Sequence, residues 1–180
     1  MERALREPDV RIYLTGFMGC GKSTVGGVLA QRLGVPFVDL DGEIERSAGM
    51  TVREIFERHG EPEFRRLEVD ALRATVEMPD VVVATGGGTM VFERSFRLIQ
   101  ASGLSVWLNL PFAAVVARVG ALGKRDRPLF RDETQALALY RERLPAYRRA
   151  DLTVDVGPEE APEEIAARIA LRIGERRCAT

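Results

Sequence analysis

The sequence of 180 residues contains only two cysteines, one histidine and one tryptophan. Cys20 and Cys178 are too few for the disulfide framework of a small secreted domain. No apolar run approaches the length of a membrane span, and the charged opening stretch "MERALREPDVRIYL" lacks the apolar core of a secretory signal. These shortages favour a protein of the reducing cytoplasm that has no membrane partner.

An excess of charge of either sign is also lacking. The chain has 26 Lys and Arg against 27 Asp and Glu, a formal net charge of -1, so it has no global basic field for nucleic acid. Its composition, 46% hydrophobic and 29% charged, is that of a folded globular protein. We therefore expect one domain over residues 1–180. Separately, we expect the protein to be a monomer.

Short apolar runs alternate with amphipathic ones along the whole chain. Because these runs are almost continuously apolar, they predict parallel strands that are covered on both faces. The predicted strands are 10–15, 37–41, 80–85, 104–110 and 151–156. The predicted helices are 24–33, 52–60, 62–77, 93–101, 112–119, 133–149 and 158–174. This order indicates an α/β domain of three layers with right-handed crossovers.

The stretch "GFMGCGKST", residues 16–24, carries the first chemical signal. Gly16 and Gly21-Lys22-Ser23 match the phosphate-binding P-loop, between a predicted strand and a predicted helix. In such a loop, backbone N–H groups and the helix N-terminus surround an anion. Lys22 can reach the β- and γ-phosphates of a nucleotide, and the Ser23 hydroxyl can coordinate Mg²⁺.

Two aspartates follow in "FVDLD". Asp39 and Asp41 are two residues apart at the end of a predicted strand, so both side chains would point to one face. One carboxylate could hold Mg²⁺ through its waters, and the other could orient a hydroxyl and accept its proton. Equally, the pair could merely end the strand and cap the next helix, and spacing alone leaves both interpretations open.

Two later stretches carry candidates for binding an acceptor. In "GEPEFRRLEVD", Arg65 could clamp a carboxylate through two parallel hydrogen bonds, although a solvated helical face also explains this segment. In "ATGGGTM", Gly86, Gly87 and Gly88 follow a buried strand, at the edge where open α/β sheets bind ligands. A plain loop seldom needs three glycines, so we expect this one to bind a ligand.

The segment "LGKRDRPLFRDET" interrupts the helical pattern with Gly, Pro and basic residues. We interpret residues 120–132 as a mobile lid that brings arginine over a transferring phosphoryl group. His59, at a predicted helix end, is expected to be a surface or capping residue, and Trp107, in an apolar strand, is expected to lie in the core. Cys20 is either a thiol activated by the anion-binding loop or a small filler, and both remain open.

These motifs together resemble the shikimate kinase family. The resemblance extends from Arg11 to about Gly174 and rests on "GFMGCGKSTVG", "DLD", "GEPEFRRLE", "TGGG", "RPLF" and "RLPAY", in the family's order. It implies a P-loop fold of the nucleoside-monophosphate-kinase type, with a parallel sheet of strand order 2-3-1-4-5 and a lid. It also implies phosphorylation of the shikimate 3-hydroxyl with ATP and Mg²⁺, a step towards chorismate and the aromatic amino acids.

The resemblance also implies roles for individual residues, in a substrate-binding region of about residues 39–70 and beyond. Asp41 would orient the 3-hydroxyl, and Ser23 with Asp39 would hold the metal. Lys22, Asp41 and Arg127 would be catalytic. The cofactor-binding residues would be Gly19, Cys20, Gly21, Lys22, Ser23, Thr24, Arg118 and Arg127. The shikimate-binding residues would be Asp41, Arg65, Gly86, Gly87, Gly88 and Arg143.

One segment departs from the family's pattern. After "DLTVDV" the chain reads "GPEEAPEE", where many relatives carry an arginine that faces the adenine. Two alternative functions stay open: another small-metabolite kinase of this fold, such as a gluconate kinase, and a catalytically silent binding module. The paired "GEPEFR" and "RLPAY" segments favour shikimate over gluconate, and the intact P-loop and acidic residues argue against a silent module.

Overall fold

The computed structural model describes the backbone of residues 11–122 and 132–178, with the side chains of residues 11–119 and 132–176. Five strands form one parallel sheet in the order β2-β3-β1-β4-β5, which confirms the predicted fold and strand order. The strands are β1 (Arg11–Thr15), β2 (Phe37–Asp39), β3 (Val81–Ala84), β4 (Leu104–Asn109) and β5 (Leu152–Asp155). The carboxyl ends of all five strands therefore lie at one edge of the sheet.

The helices fill the intervals between the strands. They are α1 (Lys22–Leu33), α2 (Leu40–Ala48), α3 (Val52–Val76), α4 (Glu93–Ser102), α5 (Phe112–Leu122), α6 (Glu133–Tyr147) and α7 (Pro162–Cys178). The capping box at Thr51 and Glu54 is confirmed, and Gly34 ends α1 in the left-handed conformation. Within the described ranges, no helix is both long enough and apolar enough to cross a bilayer.

Several predicted boundaries differ from the structure, and three of the differences have a local cause. Strand β2 ends at Asp39, and α2, for which no helix was predicted, begins at Leu40 because the Asp39 side chain caps it. The two helices predicted at 52–60 and 62–77 are continuous except for a kink at Gly60, whose backbone is not helical. Helix α7 begins at Pro162 rather than at residue 158, because residues 157–160 form a turn in which Gly157 N–H donates to the Glu160 carboxylate.

The central strands are buried on both faces. All four residues of β3 are buried, and so are Leu14 in β1 and Leu108 in β4. This burial is the reason that the strands are continuously apolar instead of alternating. Trp107 lies in the core, as predicted, with its ring against that of Tyr147.

The outer edge of the sheet, strand β5, is covered by three arginines of α7. Arg168, Arg172 and Arg176 donate to the backbone carbonyls of Asp155, Thr153 and Asp151 respectively. Arginines four residues apart on a helix advance by about 6 Å, close to the advance of two residues along a strand. The regular spacing of the arginines thus matches the spacing of the outward carbonyls, which would otherwise be open to pairing with another chain.

The junction between α4 and β4 should be intolerant of any side chain at Gly103. A Cβ atom there would lie 2.5 Å from the Arg11 carbonyl oxygen and 2.7 Å from the Arg11 Cβ. We expect Gly103→Ala to lower the free energy of unfolding by about 1–3 kcal/mol, because strand β1 or β4 must shift. Chemical denaturation would measure the loss.

Gly174→Ala is the matched control for this substitution. Gly174 lies in α7 with open space around its added Cβ, so alanine should raise stability by roughly 0.5–1 kcal/mol. Equal effects of the two substitutions would contradict the steric explanation.

Candidate active site

The loop between β1 and α1 has the backbone of an anion-binding site. Gly19 and Gly21 adopt φ values of 77° and 97°, which side-chain-bearing residues rarely adopt. Gly21 is the N-cap of α1 and offers no side-chain cap, so the amides of the first turn are left for a ligand. The loop residues Gly19, Gly21, Lys22, Ser23 and Thr24 line one cleft of about 780 Å³.

The Cys20 side chain lies beneath this loop. It is fully buried, and a Cβ atom added to Gly16 would lie 2.9 Å from its sulfur and 2.8 Å from the Leu108 carbonyl oxygen. The burial favours the interpretation of Cys20 as a small filler over that of a reactive thiol. Any contact of Cys20 with phosphate must come from its backbone.

Lys22 is held within the same loop. Its ammonium group donates to the carbonyls of Gly16, at 2.9 Å, and Phe17, at 3.1 Å. Its positive charge lowers the pKa of Asp41, which partly offsets the effect of burial on that group. Lys22 therefore lies between the phosphate loop and the acidic pair.

Asp39 caps helix α2, one of the alternatives that its sequence position left open, and it also bonds to Ser23 of the phosphate loop. One carboxylate oxygen accepts from the Gly42 N–H and caps α2, and the other accepts from the Ser23 hydroxyl at 2.5 Å. Asp41 lies in the first turn of α2, so the two aspartates do not share one face of a strand as predicted. The helix, rather than strand alternation, directs Asp41.

Ser23 and Asp39 together offer hard oxygen ligands beside the phosphate loop. Among the described residues, no three His, Cys, Asp or Glu side chains cluster as a metal cage. A hydroxyl and one carboxylate fit Mg²⁺, which commonly takes one or two protein oxygens and completes its shell with water and phosphate.

Asp41 is a half-buried carboxylate with one oxygen that has no partner. Its Oδ1 is shielded from solvent and makes no hydrogen bond to any described residue. Burial raises the pKa of Asp41 to about 6; Lys22 opposes the rise, and Asp39 and Glu68 add to it. An orphaned buried oxygen at this pKa is suited to accept a hydrogen bond from a ligand hydroxyl.

A second cleft, of about 530 Å³, opens on the other side of Asp41. The first and second clefts share the lining residues Met18, Asp41 and Gly87. We call the first cleft, beside the phosphate loop, the phosphate cleft and the second one the acceptor cleft; Asp41 lies where the two meet. The acceptor cleft is lined by Arg65, Arg143, Phe56, Phe92 and the three successive glycines, among others.

The three glycines of this loop each leave room for a different polar group. A Cβ on Gly86 would lie 3.0 Å from Asp41 Oδ1, and one on Gly87 would lie 3.3 Å from Arg143 Nη1. A Cβ on Gly88 would lie 2.8 Å from Arg65 Nη2. None of the three has a positive φ, so glycine is needed here for space and not for backbone conformation.

Arg65 is fixed on several sides. Its guanidinium donates to the Glu61 carboxylate at 3.0 and 3.2 Å and to the Glu68 carboxylate at 2.9 Å. It also lies over the ring of Phe92, 4.1 Å from the centroid. The interpretation as a solvated helical face is therefore wrong for Arg65. It holds for Arg66, which pairs with exposed carboxylates.

Glu68 is a member of the site that sequence reasoning did not single out. Its carboxylate is fully buried in α3, where it pairs with Arg65 and accepts from the Thr89 hydroxyl at 2.7 Å. Thr89 begins the turn of 3₁₀ helix after the glycine loop. A glutamate three residues after an arginine on a helix was a usable signal, but its burial could not be seen in the sequence.

Arg143 reaches the acceptor cleft from α6, opposite Arg65. No carboxylate among the described residues pairs with it, and its guanidinium lies 6.0 Å from the centroid of the Phe17 ring. Two cations, one anchored and one unpaired, thus face the same cavity. An anionic ligand group is the natural counterpart.

Arg118 also lines the phosphate cleft. Its guanidinium donates to the carbonyls of Pro158, at 3.0 Å, and Gly157, at 2.9 Å, and it lies beside Gly21. Residues 157–158, in the segment where many relatives carry an adenine-facing arginine, therefore hold Arg118 in place. Arg127 and most of the predicted lid lie outside the described residues.

Comparison with known proteins agrees with this geometry. The family model described as shikimate kinase matches residues 18–173. A shikimate kinase of Rhizobium meliloti is 48% identical over 158 residues, covering 85% of this chain and 81% of that protein. One of Geobacter sulfurreducens is 46% identical, with 80% of each chain covered.

Solved structures give the same result. Shikimate kinase from Acinetobacter baumannii in complex with shikimate superposes with a TM-score of 0.87 at 34% identity, over 93% of this chain and 94% of that one. A gluconokinase from Sinorhizobium meliloti, at 19% identity and a TM-score of 0.60, shares the fold alone over 95% of this chain and 99% of its own. From its sequence, its fold and its relatives together, the chain belongs to the shikimate kinase family, kinases that transfer phosphate from ATP to shikimate.

Proposed function

We propose that this chain transfers the γ-phosphoryl group of ATP to the 3-hydroxyl of shikimate, with Asp41 orienting the hydroxyl. The observation that carries the proposal is the position of Asp41 between the phosphate cleft and the acceptor cleft, with Oδ1 unpaired. An acceptor hydroxyl bound to Oδ1 would face the γ-phosphate of ATP in the phosphate cleft, as an in-line transfer requires.

The acceptor cleft has the charges that a small polyol acid needs. Arg65 and Arg143 supply a clamp for one carboxylate, and the glycine loop supplies backbone between them. Gluconate is also a polyol acid, but the likeness to a gluconokinase is one of fold alone. The complex of the Acinetobacter relative with shikimate supports shikimate as the acceptor.

The chemical step needs positioning more than it needs a strong base. As the hydroxyl oxygen bonds to the γ-phosphorus, the bond from that phosphorus to the bridging oxygen breaks and ADP leaves. The hydroxyl proton passes to Asp41, whose pKa of about 6 lets it accept a proton near neutral pH. Lys22 stabilises the charge on the phosphate oxygens.

Mg²⁺ would be held by Ser23 directly and by Asp39 through water. When bound, it would neutralise charge on the β- and γ-phosphates. Arg118 would line the adenine side of the nucleotide, and Arg127 would reach the phosphates from the lid. We further propose that the enzyme is a monomer of the cytoplasm.

A coupled assay of ADP release tests this function. With ATP and Mg²⁺, the purified chain should turn over shikimate and leave gluconate almost untouched, and the product should carry phosphate on the 3-hydroxyl. Omitting Mg²⁺ should abolish turnover. Faster turnover of gluconate, or no turnover of shikimate, would contradict the proposal.

Asp41→Asn tests the hydroxyl-orienting carboxylate. Asparagine keeps the shape but cannot take the proton, so kcat should fall by roughly 10²-fold or more. ATP binding, measured by calorimetry, should stay close to that of the wild-type protein because the phosphate loop is unchanged. Turnover near the wild-type value would mean that Asp41 is only a structural residue of α2.

The same substitution should stabilise the fold at neutral pH. The pKa of Asp41 rises from 3.8 to about 6 on folding, so the wild-type protein loses stability as pH rises through this interval. Above it the penalty is about 3 kcal/mol at most. Thermal melts should therefore show Asp41→Asn above the wild-type protein at pH 7–8, with the gain vanishing below about pH 4. A gain that is constant with pH would contradict the buried charge.

Arg65→Lys tests the carboxylate clamp. Lysine keeps the charge but lacks the planar fork, so shikimate binding should weaken by roughly 1.5–3 kcal/mol. The KM for ATP should hardly change. Arg66→Lys is the matched control, because Arg66 pairs only with exposed carboxylates of α3 and should change neither KM. Equal losses for ATP and shikimate would indicate a folding role for Arg65.

A further inference from the structure

Tyr147 is a buried hydroxyl close to the acceptor cleft that the proposed chemistry does not use. It ends α6, one turn after Arg143, and is fully buried. Its hydroxyl donates to the Gly87 carbonyl at 2.5 Å. This bond joins α6 to the glycine loop across sixty residues of sequence.

The Tyr147 ring is held rigidly. It stacks on Trp107 of β4, with centroids 6.0 Å apart and planes 30° apart. Trp107 in turn pairs in register with Thr15, the last residue before the phosphate loop. The hydroxyl is therefore a donor fixed by the sheet and not a mobile surface group.

Because the peptide bond is planar, the hydrogen bond from Tyr147 to the Gly87 carbonyl also fixes the direction of the Gly88 N–H. In a trans peptide, the N–H of Gly88 points opposite to the carbonyl of Gly87, and the described chain has no cis peptide. Because the Gly87 carbonyl is held towards buried Tyr147, the Gly88 N–H is turned away from it. Among the described residues, no backbone carbonyl accepts a hydrogen bond from this N–H.

Arg143 belongs to the same arrangement. A Cβ added to Gly87 would lie 3.3 Å from Arg143 Nη1, so the guanidinium rests directly on the loop. The positive charge of Arg143 also lowers the pKa of the Tyr147 hydroxyl, against the stronger raising effect of burial. Tyr147, Gly87 and Arg143 are thus in mutual contact beside the cleft.

We propose that Tyr147 is a positioning residue for the acceptor: its hydroxyl fixes the Gly87–Gly88 peptide so that the Gly88 N–H and the Arg143 guanidinium together meet the acceptor carboxylate. This inference rests on the proposed function. It adds a residue that touches neither substrate. Without the hydroxyl, the peptide can rotate and both donors lose their common direction.

Tyr147→Phe tests the proposal, because phenylalanine keeps the ring and its stacking. The KM for shikimate should rise about tenfold, the effect of one lost hydrogen bond. The KM for ATP should stay within about twofold, and kcat should fall less than the shikimate KM rises. A shikimate KM within about twofold of the wild-type value, or equal rises for both substrates, would overturn the proposal.

Tyr13→Phe is the matched control for a structural effect. Tyr13 is another fully buried tyrosine, whose hydroxyl bonds to those of Ser102 and Thr75, away from both clefts. Its loss should lower the melting temperature and leave both KM values unchanged. If Tyr13→Phe raises the shikimate KM as much as Tyr147→Phe does, the effect is general destabilisation and the positioning role fails.

Two further measurements separate the remaining outcomes. In a double-mutant cycle with Arg143→Lys, the losses in shikimate binding should be non-additive, and strict additivity would overturn a shared action. If Tyr147→Phe folds poorly, amide hydrogen exchange can be measured on the wild-type enzyme instead. The amides of residues 86–91 should exchange more slowly when shikimate is bound. Unchanged exchange would overturn the proposal. Failure of the wild-type enzyme to phosphorylate shikimate would instead reject the proposed function.

Discussion

The parallel direction of three neighbouring strands is the constraint on which the site depends. Strands β2, β3 and β1 are adjacent, and all end at one edge of the sheet. The acidic pair, the glycine triplet and the phosphate loop follow these three strands in the sequence, far apart from one another. Because parallel strands end together, these segments must meet in one space, and the two clefts join there.

Two carboxylates at this edge of the sheet are used in different ways. Asp41 is half-buried, and its desolvation raises its pKa and costs stability while Oδ1 lacks a partner. Glu68 is fully buried, but Arg65 and Thr89 satisfy it, so its charge serves to hold the arginine in place. The site thus combines one carboxylate left open for chemistry with another that is committed to structure, as expected where function opposes stability.

Much of the site could be predicted from local patterns. The spacing of Gly16, Gly21, Lys22 and Ser23 indicates a phosphate-binding loop where a strand leads into a helix. In the structure these residues lie between β1 and α1 or in the first turn of α1. The continuous apolar strands predicted the parallel sheet for a similar reason. The end of β2 was placed too late, because the capping bond of Asp39 that starts α2 outweighs the apolar pattern.

Other features depended on contacts between segments distant in the sequence. The sequence by itself predicted a phosphate-binding loop and three glycines beside a ligand, since spacing and residue type suffice for both predictions. Only the tertiary structure decided that Arg65 is anchored and not solvated, that Asp41 Oδ1 is shielded from solvent, and that Tyr147 reaches Gly87. Burial and the direction of a side chain are set by neighbours that folding brings from tens of residues away, and no local pattern records them.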